Sequence, residues 1–278
     1  MGRLVWDATG EKLYHTGTKN AILFTMKSSS AAVDIKTRYS IGVNWNGITA
    51  VTESPSGAEA NDNYADDIKY VTIRGAEKYA FTIEAFMAPD AWAECDGMTT
   101  IGSIATFGQQ NRKVFGFVYL STIGNDTDQV DYGFEIHINY NATASPSERS
   151  YQTIGENPEL MTYSWECESD PVEVSDLAKP VSNIIISCTV GNGVLKYDEK
   201  SGQIVFNEET QQGFNAKLIY DILRGTDSAE GSKETFSTLP DPSVIRDILM
   251  LKEKTKKVED YAVTAVAPVS VRENVKPV

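Results

Sequence analysis

Between Asp131 and Tyr140 the chain alternates without a break. Tyr132, Phe134, Ile136, Ile138 and Tyr140 fall on one side of an extended backbone, and Glu135, His137 and Asn139 on the other. Successive side chains of a strand point to opposite faces, so a period of two over this length predicts a β-strand with one apolar and one wet side. Lys113-Val-Phe-Gly-Phe-Val-Tyr-Leu120 precedes it, and the polar run Gly124-Asn-Asp-Thr-Asp128 lies between, which makes a hairpin.

The same pattern dominates the first two thirds of the chain. Further strands are expected over residues 68–73, 79–87, 161–168 and 181–190, the last β-branched enough to be a central strand. A shorter pair, 194–197 and 203–206, reads as a second hairpin. Helical spacing is confined to two places. Leu218, Ile219, Ile222 and Leu223 recur on one face within 215–223, with Gly225 as the stop. Asp241-Pro242 supplies an N-cap and a first-turn proline ahead of Val244, Ile245, Ile248 and Leu249. The expected class is mainly β, a sandwich or barrel-like fold with one flanking α-helix and a short C-terminal helix. One domain spans residues 1–251, and 252–278 form a mixed-charge, then Val/Pro-rich, extension or arm.

Charge and cysteine usage limit the function. Against 39 Asp and Glu stand 25 Lys and Arg, a formal charge of −14 and a pI near 4.6. That balance argues against ordinary DNA binding, which neutralises phosphates with basic side chains. Cys95, Cys167 and Cys188 are odd in number, widely spaced and without a C-x-x-C, as expected for reduced thiols rather than a disulfide framework or zinc site. The first residues, Met-Gly-Arg-Leu-Val-Trp, lack the apolar core of a signal peptide, and Trp6 stands where a myristoylation motif takes Ser or Thr. No apolar run reaches membrane-spanning length, so a soluble, non-secreted protein is expected.

Candidate chemistry is sparse. His15 and His137 are the only side chains suited to act as a base near neutral pH, and no Ser or Cys nucleophile motif accompanies them. Asn125, Asp126, Asp128 and Asp131 could ligate calcium, but the order of an EF-hand is absent and a polar hairpin loop explains them as well. Glu166 and Glu168 flank Cys167 on one strand face without a glycosidase-like cleft signature. No Gly-Lys-Ser/Thr phosphate loop occurs. The sequence predicts no enzyme, no cofactor and no metal.

The segment 45–59 (Trp45-Asn-Gly-Ile-Thr-Ala-Val-Thr-Glu-Ser-Pro-Ser-Gly-Ala-Glu59) carries apolar and hydroxyl side chains, Pro55 and Gly57, with Glu53 and Glu59 as its sole charges. Such a segment suits an ordered contact with a partner. The run also resembles the signature of the major tail proteins of long-tailed bacteriophages, which build the tail tube. Further stretches resemble that family in the same order. They are Tyr64-Ala-Asp-Asp-Ile-Lys69, Thr82-Ile-Glu-Ala85, Pro89-Asp-Ala-Trp-Ala-Glu-Cys-Asp-Gly97, Gly108-Gln-Gln-Asn-Arg-Lys-Val-Phe-Gly116, Ile123-Gly-Asn-Asp-Thr127 and Asp131-Tyr-Gly-Phe134. Pro146-Ser-Glu148, Tyr163-Ser-Trp-Glu166, Pro171-Val-Glu173 and Leu239-Pro-Asp-Pro-Ser-Val-Ile245 follow. The hairpin at 194–206 looks like an insertion relative to the family, and 252–278 run past its usual end; both are expected to add outer-surface decoration or inter-ring arms.

The resemblance implies a structural virion protein: six copies form a ring whose inner strands make a β-barrel lumen, and rings stack into a tube that conducts DNA into the host. It implies a virion location after assembly in the bacterial cytoplasm, with tail terminator, tape measure and tail-tip proteins as partners. The expected inter-ring contacts are Trp45, Asn46, Ile48, Val51, Thr52, Glu53 and Pro55. The expected lumen carboxylates are Glu84, Glu135 and Glu166. The tube of a phage-derived particle is an equivalent role. A rival from another class is a carbohydrate-binding β-sandwich module, for which Trp45, Trp92 and Trp165 would have to share an exposed face.

Overall fold

A computed structural model describes residues 6–27, 38–57, 60–74, 77–102, 104–153, 160–190, 194–198, 203–227 and 234–264. In chain order the strands are β1 (Tyr14–Thr25), β2 (Val43–Trp45), β3 (Ile48–Glu53), β4 (Ala60–Ala65), β5 (Ile68–Arg74) and β6 (Tyr79–Ala85). A single helical turn, α1 (Trp92–Cys95), leads to β7 (Thr99–Ile101) and β8 (Ala105–Phe107). Then come β9 (Phe115–Asn125), β10 (Gln129–Ala144), β11 (Tyr163–Ser169), β12 (Asn183–Thr189), β13 (Val194–Asp198) and β14 (Gln203–Phe206). The helices α2 (Gln211–Arg224) and α3 (Pro242–Leu249) close the order, followed by a 3-10 turn at Val258–Asp260. The fold is mainly β, as the alternation predicts.

The main sheet runs β2-β1-β9-β10-β11-β6-β3, with β12 also paired to β10 and each described pairing antiparallel. Its two end strands, β2 and β3, are joined by Asn46-Gly47 alone, so the sheet curls back on itself like a barrel. Gly47 takes a φ of +83°, which the tight passage between them requires. Inside the curl, Trp45, Trp92 and Trp165 meet with ring centroids 4.6 to 5.5 Å apart, packed with Phe81, Ile83, Phe115 and Phe117. A second core lies on the other face of β9, β10 and β12, where Val118, Leu120, Phe134, Ile136, Ile138 and Ile186 receive Ile219, Ile222 and Leu223 of α2 and Ile245 and Ile248 of α3.

β9 and β10 are therefore covered on both faces, and the wet side expected for Tyr132–Tyr140 is corrected: His137 and Asn139 are buried. The polar side chains point inward because both layers share these two strands. β10 changes partner at Asn141, whose φ is +47°: residues 133–139 pair with β12 and 142–144 with β11. A bulge at that point turns Ala142 and Ala144 into the Trp-rich core, while Tyr140 and the residues before it serve the helical one.

Two further expectations are corrected. β12 pairs only with β10 among the described strands and leaves Ile185 exposed, so it lies at an edge and is not central. The β13–β14 hairpin is not surface decoration, since Ile204 and Phe206 are buried against Phe134 and Tyr220. The start of α3 matches the sequence reading, the Asp241 carboxylate accepting the Ser243 N–H at 3.1 Å, whereas α2 begins at Gln211, ahead of the expected 215, where the Thr210 hydroxyl accepts the Gly213 N–H at 3.0 Å. Over residues 252–264 the chain stays on the body. Val258 and Tyr261 pack on the helical core, Ala262 is buried, and Phe236 N–H bonds to Val263 O. Residues 265–278 of the expected arm lie outside the described residues.

Candidate functional site

The β3–β6 pairing does not end with β3. Ser54 N–H donates to Ala80 O at 2.8 Å, and Ser56 and Lys78 exchange backbone bonds of 2.8 and 2.9 Å. Beyond them β4 and β5 carry the same hairpin outward as a two-stranded ribbon, pairing with no other described strand. Its tip is Asp66-Asp67, with φ of +51° and +60°. Two left-handed residues between Ala65 and Ile68 make the tight turn whose twist suits a hairpin. Asp62 steadies the ribbon by accepting from Lys69 Nζ and Thr72 Oγ1, each at 2.7 Å, and these contacts hold its carboxyl below the usual range. Tyr64, Ile68, Tyr70, Val71 and Ile73 are nonetheless exposed. An isolated two-stranded hairpin is marginally stable in water, and large apolar side chains gain nothing there from solvent.

A second exposed ribbon follows α1. Among the described strands β7 and β8 pair only with each other, and they expose Ile101, Phe107 and, next to the turn, Ile104, which is 94% accessible. β6 connects the two ribbons: the first enters it at Tyr79 and the second follows its far end at Ala85.

The segment 45–59 divides between inside and outside. Trp45 is buried, donating from Nε1 to Met87 O at 2.8 Å, and Ile48 and Val51 pack half-buried on the Trp-rich core. Glu53 turns inward. Asn46, Thr52 and Pro55 are exposed, while Ala58 and Glu59 fall outside the described residues. Contact with a neighbour is thus open to Asn46, Thr52 and Pro55, and Trp45 is corrected from a contact residue to a core residue.

Glu53 ends in a polar cluster that its sequence neighbours do not announce. Its carboxylate accepts from Tyr119 Oη at 2.7 Å and from His137 Nδ1 at 3.2 Å. With Nδ1 donating, the neutral ring offers Nε2 as acceptor, and the Ser121 hydroxyl lies 2.9 Å from it. The imidazole stacks on the Tyr119 ring at 4.4 Å. Glu135 stands 3.6 Å from both His137 Nε2 and His15 Nδ1 and accepts from Ser187 Oγ at 2.7 Å, so both histidines of the chain meet one carboxylate. The His137 hydrogen bond holds the Glu53 carboxyl down at about 2 despite burial. Burial, with the Glu53 charge alongside, pushes the Tyr79 and Tyr119 phenols up.

Glu, His and Ser in this order can polarise a hydroxyl. Ser121, however, sits mid-strand between Thr18 of β1 and Glu135 of β10, where the backbone N–H groups that would hold an oxyanion are committed to two ladders. What the cluster does is fix Glu53, the root of the projecting hairpin, to β9 and β10 across the interior. Sequence reasoning missed it because the pairs are 66 and 84 residues apart.

The lumen candidates do not share one face. Glu84 of β6 and Glu166 of β11 point away from the Trp-rich core on the same outer face as Thr52, Thr82 and Ser164. Glu135 belongs to the polar cluster on another face. The Asn125 loop is explained by turn chemistry: Asn125 Oδ1 accepts from the Thr127 and Asp128 amides, and Asp126 accepts from Gly10 N–H. Among the described residues no group of three or more His, Cys, Asp or Glu is placed to hold a metal ion. All three cysteines are free and buried, and burial pushes the Cys95 and Cys188 thiols up to about 12. The tryptophans of the sugar-binding alternative do converge, but in the interior. No described helix is long and apolar enough to cross a membrane. In comparison with known proteins, the chain matches no family model and no curated sequence.

Proposed function

We propose that this chain is a self-assembling structural subunit, the tube-forming protein of a long-tailed phage tail or of a particle derived from one. The observation that carries the reading is the pair of apolar ribbons leaving a folded core with no other described strand paired to them and their large apolar side chains exposed. Apolar surface of this kind is retained where a partner covers it. β12, whose one described strand partner is β10, adds a sheet edge of the sort that closure into a ring removes. The ordered motifs from Trp45 to Ile245 resemble those of tail-tube proteins and supply the ring, stack and DNA-conduit roles, with terminator, tape measure and tip proteins as partners. The role is passive and requires no catalytic residue.

The test is assembly of the purified chain. Size-exclusion chromatography and negative-stain microscopy are expected to reveal rings or tubes. Replacing residues 60–74 by a two-glycine turn should leave a folded subunit that no longer polymerises. A wild-type chain that remains monomeric at high concentration overturns the reading.

A further inference from the structure

β10 is paired to β12 over residues 133–139 and to β11 over 142–144, so the sheet forks between Asn139 and Ala142. Around the fork stand the ends of three further strands. Tyr79 opens β6, Ser169 ends β11 as its register partner, and Asn183 opens β12 opposite Asn139. Hydrogen bonds stitch part of the fork: Ser169 Oγ donates to Tyr140 O, and Tyr140 N–H donates to Ser182 O at 2.9 Å.

Two side chains at this fork are left over. Asn139 is wholly buried, yet among the described residues neither its Oδ1 nor its Nδ2 has a hydrogen-bond partner. The buried Tyr79 hydroxyl makes no direct bond either, although it faces the Glu53 carboxylate and the Asn183 amide. Buried polar atoms are nearly always paired, with protein or with ordered water. Asn139 and Asn183 stand directly opposite each other on neighbouring strands, a placement that sets their Cβ atoms about 4.5–5.5 Å apart on one face. His137, two residues before Asn139, shares that face and holds Glu53. The orphaned atoms thus gather along one short polar strip that reaches from Glu53 to the fork.

The demand of Asn139 selects the occupant. Exchanging the amide's oxygen and nitrogen changes nothing, since one acceptor and one donor group are orphaned either way. A cation would serve the oxygen and leave the amide protons; an anion would do the reverse and be repelled by ionised Glu53. Water both donates and accepts, and a buried water typically holds about three hydrogen bonds. We infer that the fork is a binding site for internal water, held by the Asn139 amide together with the Tyr79 hydroxyl and Asn183. The water ties Tyr79, at the foot of the projecting hairpin, to the point where the two layers part. The site belongs to the single subunit and stands whether or not the chain assembles.

A crystallographic or cryo-EM map that resolves solvent is expected to show ordered water at hydrogen-bond distance from Asn139 and Tyr79. In solution, oxygen-17 magnetic relaxation dispersion counts the waters that exchange slowly with bulk. Asn139→Leu keeps the branched shape without the amide atoms, and should lose such a water relative to wild type. Tyr79→Phe keeps the ring and should leave the water in place but exchanging about fivefold faster or more, the factor carried by one hydrogen bond. The second variant decides the matter where the first fails to fold. A map in which the Asn139 amide bonds directly to protein groups, with no solvent density beside it, overturns the site. So does an unchanged count in Asn139→Leu, or an unchanged exchange rate in Tyr79→Phe.

Discussion

Glu53 keeps its charge in a half-buried position because two donors face it, the Tyr119 hydroxyl and His137 Nδ1. Its carboxyl titrates at about 2 against an ordinary 4.5. A depressed carboxylate contributes its full stabilisation above the unfolded value and loses it as pH falls from 4.5 toward 2. Partial exposure reduces the contribution to about 1–2 kcal/mol. Glu53→Gln is therefore expected to lower stability by about that much at pH 7 and to flatten the loss between pH 5 and 3, read from urea midpoints. Equal pH slopes in both proteins would remove the Glu53–His137 account. Trp45 makes the opposite case: it interlocks with Trp92 and Trp165, so Trp45→Ala should cost about 3–5 kcal/mol and unfold or loosen the subunit itself. A stable Trp45→Ala subunit defective solely in assembly would return this residue to the interface. Composition identified the segment around Trp45 as ordered but could not say which of its side chains face inward. That depends on where β3 meets β6, β9 and β10 in space.

At the scale of elements, what the sequence made legible is what local chemistry decides. The cap of α3 at Asp241 is such a case, because an oxygen close to the backbone can satisfy a free N–H of the first turn; the same chemistry at Thr210 starts α2 at Gln211, ahead of the apolar spacing from which the helix was read. Thr210→Ala should cost about 1 kcal/mol in thermal unfolding, without change in assembly at low temperature. β10 was readable from its alternation, whereas β1 escaped it. Gly17 and Asn20 have φ of +65° and +51°, and register shifts at Thr16/Thr18 and Lys19/Ile22 break the period of two. β12 reads as central from its β-branched run, but such composition reports a pleated, packed surface and not a place in the sheet order. The β13–β14 hairpin looked like decoration because its polar turn hides two core residues, Ile204 and Phe206. Phe206→Ala is expected to destabilise by about 3 kcal/mol or more in chemical denaturation, where a surface ornament would lose less than 0.5.

Across the whole molecule the charge of −14 must be distributed over surfaces with different tasks. The outer face of β3, β6 and β11 presents Thr52, Thr82, Ser164, Glu84, Glu166 and Glu168, with no basic residue on those three strands' outward positions. Ser164 pairs with Glu84 and Thr82 with Glu166, which sets the two carboxylates diagonally across neighbouring strands at about 7–8 Å between backbone positions. In the proposed tube this face is the best candidate for the lumen wall, and Glu135, engaged by Ser187 and His15, is not part of it. A duplex sliding past lysines would exchange its counterions for them and be held, whereas carboxylates leave it mobile. Screening confines the effect to groups within about 8–10 Å of the phosphates, so a few wall residues decide it. Glu84→Lys/Glu166→Lys should therefore leave tube formation intact, because neither side chain enters a core or ribbon. The same tubes should retain duplex DNA at 50 mM salt and release it near 200 mM, while wild-type tubes retain none at either, as read by co-sedimentation. Variant tubes as indifferent to DNA as wild type would place this face on the outer wall, and the lumen would then have to be built from another surface.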